Sequence, residues 1–378
     1  MTISALLLSL LAIFAAAKIF GELAERIGQP AVLGEMVGGI VIGVSGLHWI
    51  DPHNEVLHVL AELGVLLLLF LIGLETDLKR LLSVGGASTS VAIVGVVLPF
   101  GAGYGVGYWL GYPTTVAVFL GAALTATSVG ITARVLSDLG HLKSDEAQVI
   151  LGAAVLDDIV GLVLLTVISA VAAGEELTTT GVLRVFAVAF GFVVMAMIIG
   201  SFLAPRLISM VARLRVAKAL FFASVMFGFA LAYLADLFGS ALIIGSFAAG
   251  LVLARTDKGR DIEHQVHDVA QFFIPIFFVS VGAAVDLRAL NPFNPATRQF
   301  LVIGLVLTVV AIIGKLLAGY AAFGRPLRKT VIGVGMVPRG EVGLIFAQLG
   351  LTAGLLSAGL YSSVAMMVIV TTFVTPPV

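Results

Sequence analysis

The stretch Gly152-Ala153-Ala154-Val155-Leu156-Asp157-Asp158-Ile159-Val160-Gly161 sets two adjacent carboxylates in the middle of an apolar run, Val149 to Ala173, that has no other charge. A run of about 20 apolar residues is long enough for a helix to cross a bilayer. An ionised carboxylate at bilayer depth is costly. Such a residue faces a water-filled cavity or a partner, and it marks an ion or proton path. The rest of the chain has the same character: 60% of its residues are hydrophobic and 11% charged, far from the balance of a soluble domain. The 378 residues hold thirteen candidate spans, at 3–20, 31–50, 57–75, 88–110, 114–136, 148–173, 182–204, 217–237, 239–255, 268–285, 299–322, 329–350 and 355–375. The expected fold class is an all-α polytopic membrane protein.

Charge placement orients the spans. Sixteen of the 21 Lys and Arg fall on or beside connections that follow odd-numbered spans, among them Lys79, Arg80, Arg206, Arg213, Lys258 and Arg328. Three, Arg184, Arg288 and Arg298, fall on the other side, and Lys315 and Arg339 lie within spans. The positive-inside rule then puts the N-terminus outside and the C-terminus in the cytoplasm. The first apolar stretch has no basic segment before it, Lys18 coming at its end, so it reads as a retained helix rather than a cleaved signal peptide. The chain has no cysteine, which excludes disulfides and thiolate metal sites.

A repeat runs through the chain. Aligning Gly34 with Gly245 puts Gly39 on Gly250 and Ile40-Val41-Ile42 on Leu251-Val252-Leu253. Aligning Gly73 with Gly282 puts Asp77-Leu78-Lys79 on Asp286-Leu287-Arg288. Further on, Ser128-Val129-Gly130-Ile131 lies over Glu341-Val342-Gly343-Leu344. These matches map span 2 onto 9, span 3 onto 10 and span 5 onto 12. An odd number of crossings separates each pair, so the second copy is inverted in the membrane. Inverted repeats mark secondary transporters, whose sites lie near the midplane between the halves and use broken helices. Matching breaks are expected at Thr125-Ala126-Thr127-Ser128-Val129-Gly130 and at Pro338-Arg339-Gly340-Glu341, because Pro removes a helical hydrogen bond and Gly loosens the backbone. Backbone freed in this way must be buried in protein or line a cavity, and the two breaks are expected to cross.

Few charges lie at membrane depth: Asp157, Asp158, Lys315, Arg339 and Glu341. Neighbouring helical residues point ~100° apart, so one aspartate faces a partner while the other faces an aqueous cavity. Lys315 is the natural partner for Asp157. Asp158, assisted by Asp157, by Thr127 or Ser128 and by carbonyls of the breaks, offers the oxygen ligands that a hard monovalent cation wants. Burial disfavours the charged form of a carboxylate, so one group serves a cation or a proton in turn. Competition for one site, combined with alternating access, makes an exchanger. Arg339 and Glu341 read as mainly structural, offsetting the partial charges of exposed helix ends, with an influence on the site.

With these strings in place the chain resembles the monovalent cation:proton antiporter-2 family, in its thirteen-helix, NapA-like type. The resemblance is carried by Gly28-Gln29-Pro30, Phe70-Leu71-Ile72-Gly73-Leu74-Glu75, the segment from Thr125 to Arg134, Gly152 to Asp158, Gly314-Lys315 and Pro338 to Leu344. It implies a NhaA/NapA-like fold of two inverted repeats with crossing broken helices. It implies that Asp158 binds Na+ and the proton, that Asp157 pairs with Lys315 when the cation is absent, and that exchange is electrogenic. Electroneutral relatives carry Asn-Asp at this pair, and glutathione-gated potassium relatives carry Gln-Asp with a long cytoplasmic tail; this chain ends at Pro376-Pro377-Val378, directly after the last span. The same likeness implies a dimerisation scaffold of 1–84 and 205–290, a linking helix at 182–204, and a moving core of 85–173 and 299–378. It also implies a homodimer in the cytoplasmic membrane, with no cofactor beyond the transported ions and no nucleic-acid partner.

Other readings are weaker. A potassium/proton antiporter could use the same residues, and Li+ could replace Na+. A gated cation channel would lack flux against a gradient. An intramembrane aspartyl protease needs carboxylates from two helices sharing a proton, which adjacent residues on one helix do not supply.

Overall fold

The structure is a computed structural model. It describes residues 2–51, 54–76, 83–173, 179–211, 213, 216, 218–238, 242–284, 295–324, 326–352 and 354–375. Fifteen helices occur among them: α1 Ile3–Arg26, α2 Ala31–Ile42, α3 Glu55–Glu75, α4 Gly85–Trp109, α5 Thr114–Ala123, α6 Val129–Asp138, α7 Asp145–Ala173, α8 Thr179–Val211, α9 Ala219–Leu237, α10 Leu242–Ala254, α11 Gly259–Ala283, α12 Pro295–Gly319, α13 Lys329–Gly335, α14 Glu341–Thr352 and α15 Ala358–Val374. No strand occurs among the described residues. Seven helices, α1, α3, α4, α8, α9, α11 and α12, include a stretch long and apolar enough to cross a membrane unaided.

Local chemistry sets many of the ends. Thr2 caps α1 by accepting from the Ala5 amide at 3.3 Å. Asn54 accepts from the amides of Val56 and Leu57 and caps α3, with Glu55 in the first turn, where the helix dipole favours an anion. Gly28, at φ 75°, makes the left-handed turn between α1 and α2. The expected second span runs to 50, but α2 stops at Ile42 and the chain turns through Gly43. α11 begins at Gly259, well before the expected 268, because its first turns are polar and lie beyond the apolar run. Two expected spans are each divided. The segment 114–136 is α5 and α6 with 124–128 between them, and 329–350 is α13 and α14 with 336–340 between them. At the first interruption the Thr125 hydroxyl donates to the Ala122 carbonyl at 2.7 Å, a local bond that competes with helix continuation. At the second, Pro338 has no N–H to continue the ladder.

The chain forms two compact units. One comprises residues 1–78, 137–143 and 188–286. In it α3 packs on α10 and α11, α2 on α1 and α11, and α9 on α10. Phe70, Phe192, Ile208, Leu231, Val252 and Val266 share an apolar core. Six aligned glycines lie against the backbone of a neighbouring helix, and these contacts obey the repeat. A Cβ on Gly39 would meet the Val279 carbonyl oxygen at 2.2 Å, and one on Gly250 would meet the Phe70 oxygen at 2.2 Å. Gly282 lies against the Met36 oxygen and Gly73 against the Phe247 oxygen. Gly34 lies against the Phe20 oxygen and Gly245 against the Leu231 oxygen. Each pair is the image of its fellow under the alignment read from sequence. The aligned Asp77-Leu78-Lys79 and Asp286-Leu287-Arg288 lie outside the described residues.

The other unit comprises 79–136, 144–187 and 287–378. Here α4 packs on α5, α7 and α12, while α15 packs on α12 and α14. α14 also packs on α5, and α13 on α7 and α12. Phe119, Leu124, Leu307, Phe346, Val364 and Met367 form its main apolar core. A second cluster includes Val91, Ile150, Ile332 and Met336. This unit holds the chemistry.

Candidate functional site

Three elements of the second unit converge on one carboxylate. Lys315 on α12 donates from Nζ to Asp157 Oδ2 on α7 at 2.6 Å, with both side chains fully buried. Thr127, in the interruption between α5 and α6, donates its hydroxyl to the same Oδ2 at 2.8 Å. Its oxygen also lies 3.3 Å from the Met336 carbonyl at the end of α13. Asp157 Oδ1 has no hydrogen-bond partner among the described residues. Charge-assisted bonds of this kind are short and strong. Removing one member of a buried pair is far more costly than the net contribution of the pair, because it strands a charge.

The two interruptions meet. The Ser128 amide donates to the Pro338 carbonyl at 2.8 Å. The Thr132 hydroxyl donates to the Gly335 carbonyl at 2.8 Å. A Cβ on Gly340 would sit 2.9 Å from the Ser128 hydroxyl oxygen. Arg339 is buried and binds backbone: Nη1 donates to the Ala126 carbonyl at 3.0 Å and the Thr125 carbonyl at 3.4 Å, and Nη2 to the Ala311 carbonyl at 3.3 Å. Its own carbonyl accepts from the Thr372 hydroxyl at 2.6 Å. A fixed cation thus sits where the freed carbonyls after α5 gather. These are the groups that an interrupted helix leaves without partners and that favour positive charge.

The candidates from sequence are placed as follows. Asp157, Lys315 and Thr127 are bonded to one another. Asp158 is the next residue on α7, buried at 6% exposure. Ser128 is at the contact of the interruptions, and Arg339 binds carbonyls beside it. Glu341 is the first residue of α14; its side chain lies outside what the structure describes. Sequence reading named carbonyls of the breaks only as a group, and it missed Thr132, Thr372 and the Ala311 carbonyl on α12. A carbonyl inside a helix has no sequence signature; Thr372 sits in a run that reads as ordinary apolar helix, and Thr132, though within the Thr125–Arg134 string, has no charge or helix-breaking neighbour that singles it out.

Comparison with known proteins fits this geometry. The family model described as "Sodium/hydrogen exchanger, transmembrane" matches residues 9–378. The chain belongs to the sodium/hydrogen exchanger family. Membership makes the exchanger a multi-span membrane protein and a cation/proton antiporter, a secondary transporter rather than an enzyme. It is 42% identical to the high-affinity Na+/H+ antiporter NhaS3 of Synechocystis, over 100% of this chain and 89% of the relative. It is 39% identical to the Na+/H+-K+ antiporter GerN of Bacillus cereus, over 95% of this chain and 92% of the relative. A solved structure of the sodium proton antiporter MjNhaP1 of Methanocaldococcus jannaschii matches its fold with TM-score 0.71 at 16% identity, covering 98% of the exchanger and 96% of that chain.

Proposed function

We propose that this exchanger moves Na+ against H+ across the cytoplasmic membrane, with both ions using Asp158 in turn. The observation that carries the reading is the buried Lys315–Asp157 bond, next to Asp158 and at the meeting of two helix interruptions. Asp158, Thr127, Ser128 and carbonyls of the interruptions form the oxygen set for the cation, with Arg339 and Glu341 tuning it. When the cation enters, Asp157 joins it and lets go of Lys315. When protons return, the ion pair closes again. If Lys315 gives up its proton on leaving Asp157 and regains it when the pair closes, it carries a second proton beside that of Asp158, and one Na+ then exchanges for two H+, which supports electrogenic exchange. The fifteen helices make thirteen crossings, the two interrupted spans counting once each, with the N-terminus outside and the C-terminus in the cytoplasm. The segments 85–173 and 299–378 act as a core that shifts as an elevator past a scaffold of 1–84 and 205–290, joined through 182–204, in a homodimer.

A second reading, K+/H+ exchange, is favoured by the 39% identity to GerN, whose name includes K+. One experiment separates the two. The protein is reconstituted in liposomes, a proton gradient is imposed, and Na+, Li+ and K+ are added in turn with voltage clamped or free. Na+ and Li+ should dissipate the gradient at a rate that depends on voltage. Dissipation by K+ in their place selects the second reading, and dissipation by none of the three contradicts both.

A further inference from the structure

α4 and α12 lie side by side and antiparallel, with the Ser90 hydroxyl donating to the Ala321 carbonyl at 2.8 Å near one end of their contact. Two glycines set their closest approach. A Cβ on Gly314 would lie 3.1 Å from Pro99 Cγ. A Cβ on Gly95 would lie 3.1 Å from Lys315 Nζ and 3.6 Å from its Cδ. The lysine side chain therefore rests on bare α4 backbone at Gly95, which is buried. Pro99 lies inside α4 and has no N–H. The Gly95 carbonyl, four residues earlier, consequently lacks its helical donor. A strong acceptor without its usual partner and a buried ammonium thus occur within the same few ångströms.

An ammonium has three donors, and Asp157 Oδ2 takes one of them. When Asp157 turns to a cation, the lysine must find another acceptor or remain as an uncompensated charge at bilayer depth. We propose that the Gly95 carbonyl is that acceptor: Lys315 swings between Asp157 and the α4 backbone, which holds the ammonium as the ion pair opens and until its proton leaves. Gly95 supplies the space and Pro99 the free carbonyl, and both act as positioning residues. The inference rests on the Asp157–Lys315 switch proposed above.

Pro99→Ala gives the Gly95 carbonyl back its helical N–H. In proteoliposomes the variant should lower the maximal exchange rate about tenfold, the kinetic equivalent of one hydrogen bond to a charged group. The KM for Na+ should not change, and Tm should stay equal or rise, since the helix gains a bond. A maximal rate equal to that of the unaltered protein overturns the proposal. A second measurement needs no transport. In Asp157→Asn the lysine is left to Gly95, so adding Pro99→Ala should lower Tm by several degrees more than the two single changes together. Additive shifts overturn it. Should Asp157→Asn fail to fold, the rate of the single Pro99→Ala variant decides. Failure of the underlying switch has a different mark: Lys315→Ala would leave the charge moved per cycle unchanged, whatever Pro99→Ala does.

Discussion

At Asp157 one oxygen, Oδ2, accepts from both Lys315 and Thr127. The two donors should therefore respond differently to removal. Lys315→Ala strands a buried carboxylate and should cost about 3–5 kcal/mol of stability, read as a lower Tm, with less charge moved per cycle. An unchanged Tm would place the pair outside the stabilising contacts of the fold. Thr127→Val keeps the shape and loses the hydroxyl. It should weaken apparent Na+ affinity by about a hydrogen bond, ~1 kcal/mol or some fivefold, while Thr127→Ser should restore it. Equal affinity in the Val and Ser variants would remove Thr127 from the cation's surroundings. The Asp157–Lys315 pair was legible in sequence because so few charges sit at membrane depth that a buried lysine has little choice of partner. Arg339 was legible only as a charge in a broken segment. Its actual partners are carbonyls, whose position depends on where helices stop and which ones cross.

Among the elements, the interrupted helices were readable because their residues conflict with helix for named reasons: hydroxyls that bond locally, and a Pro beside Gly. Their ends were less readable. α2 stops eight residues before its apolar run does, and α11 starts in a polar stretch, because helix ends follow caps and turns while hydropathy follows the bilayer. The glycine alignment had a geometric meaning that sequence offered only as pattern. In the unit of 1–78, 137–143 and 188–286, the aligned glycines are points where one helix backbone lies on another. Gly73→Ala would place a methyl 2.3 Å from the Phe247 carbonyl oxygen, which backbone cannot readily yield, and should destabilise by about 1–3 kcal/mol, the usual toll of overpacking. Gly101→Ala, in α4 with nothing within 4 Å of its Cβ, should instead stabilise by about 0.5–1 kcal/mol through helix propensity alone. Thermal unfolding of the two variants checks this; a stable Gly73→Ala would mean that α3 and α10 do not meet as described.

For the whole molecule, membership of the exchanger family and the regular alternation of basic connections bear on one architecture. The natural chain has no cysteine, so single introduced thiols report sidedness without background. Arg213→Cys should react with an impermeant thiol reagent from the cytoplasmic side and Arg298→Cys from the outside; labelling of both from one side would break the thirteen-crossing order. The central claim is narrower than the architecture: one carboxylate, Asp158, trades a proton for a cation. The direct test is to add Na+ to the purified, weakly buffered protein and follow released protons with an indicator dye, alongside Asp158→Asn. The account predicts proton release that saturates with Na+ in the unaltered protein and is lost in a folded Asp158→Asn variant. Sodium binding without proton release, or release that persists in Asp158→Asn, would contradict it.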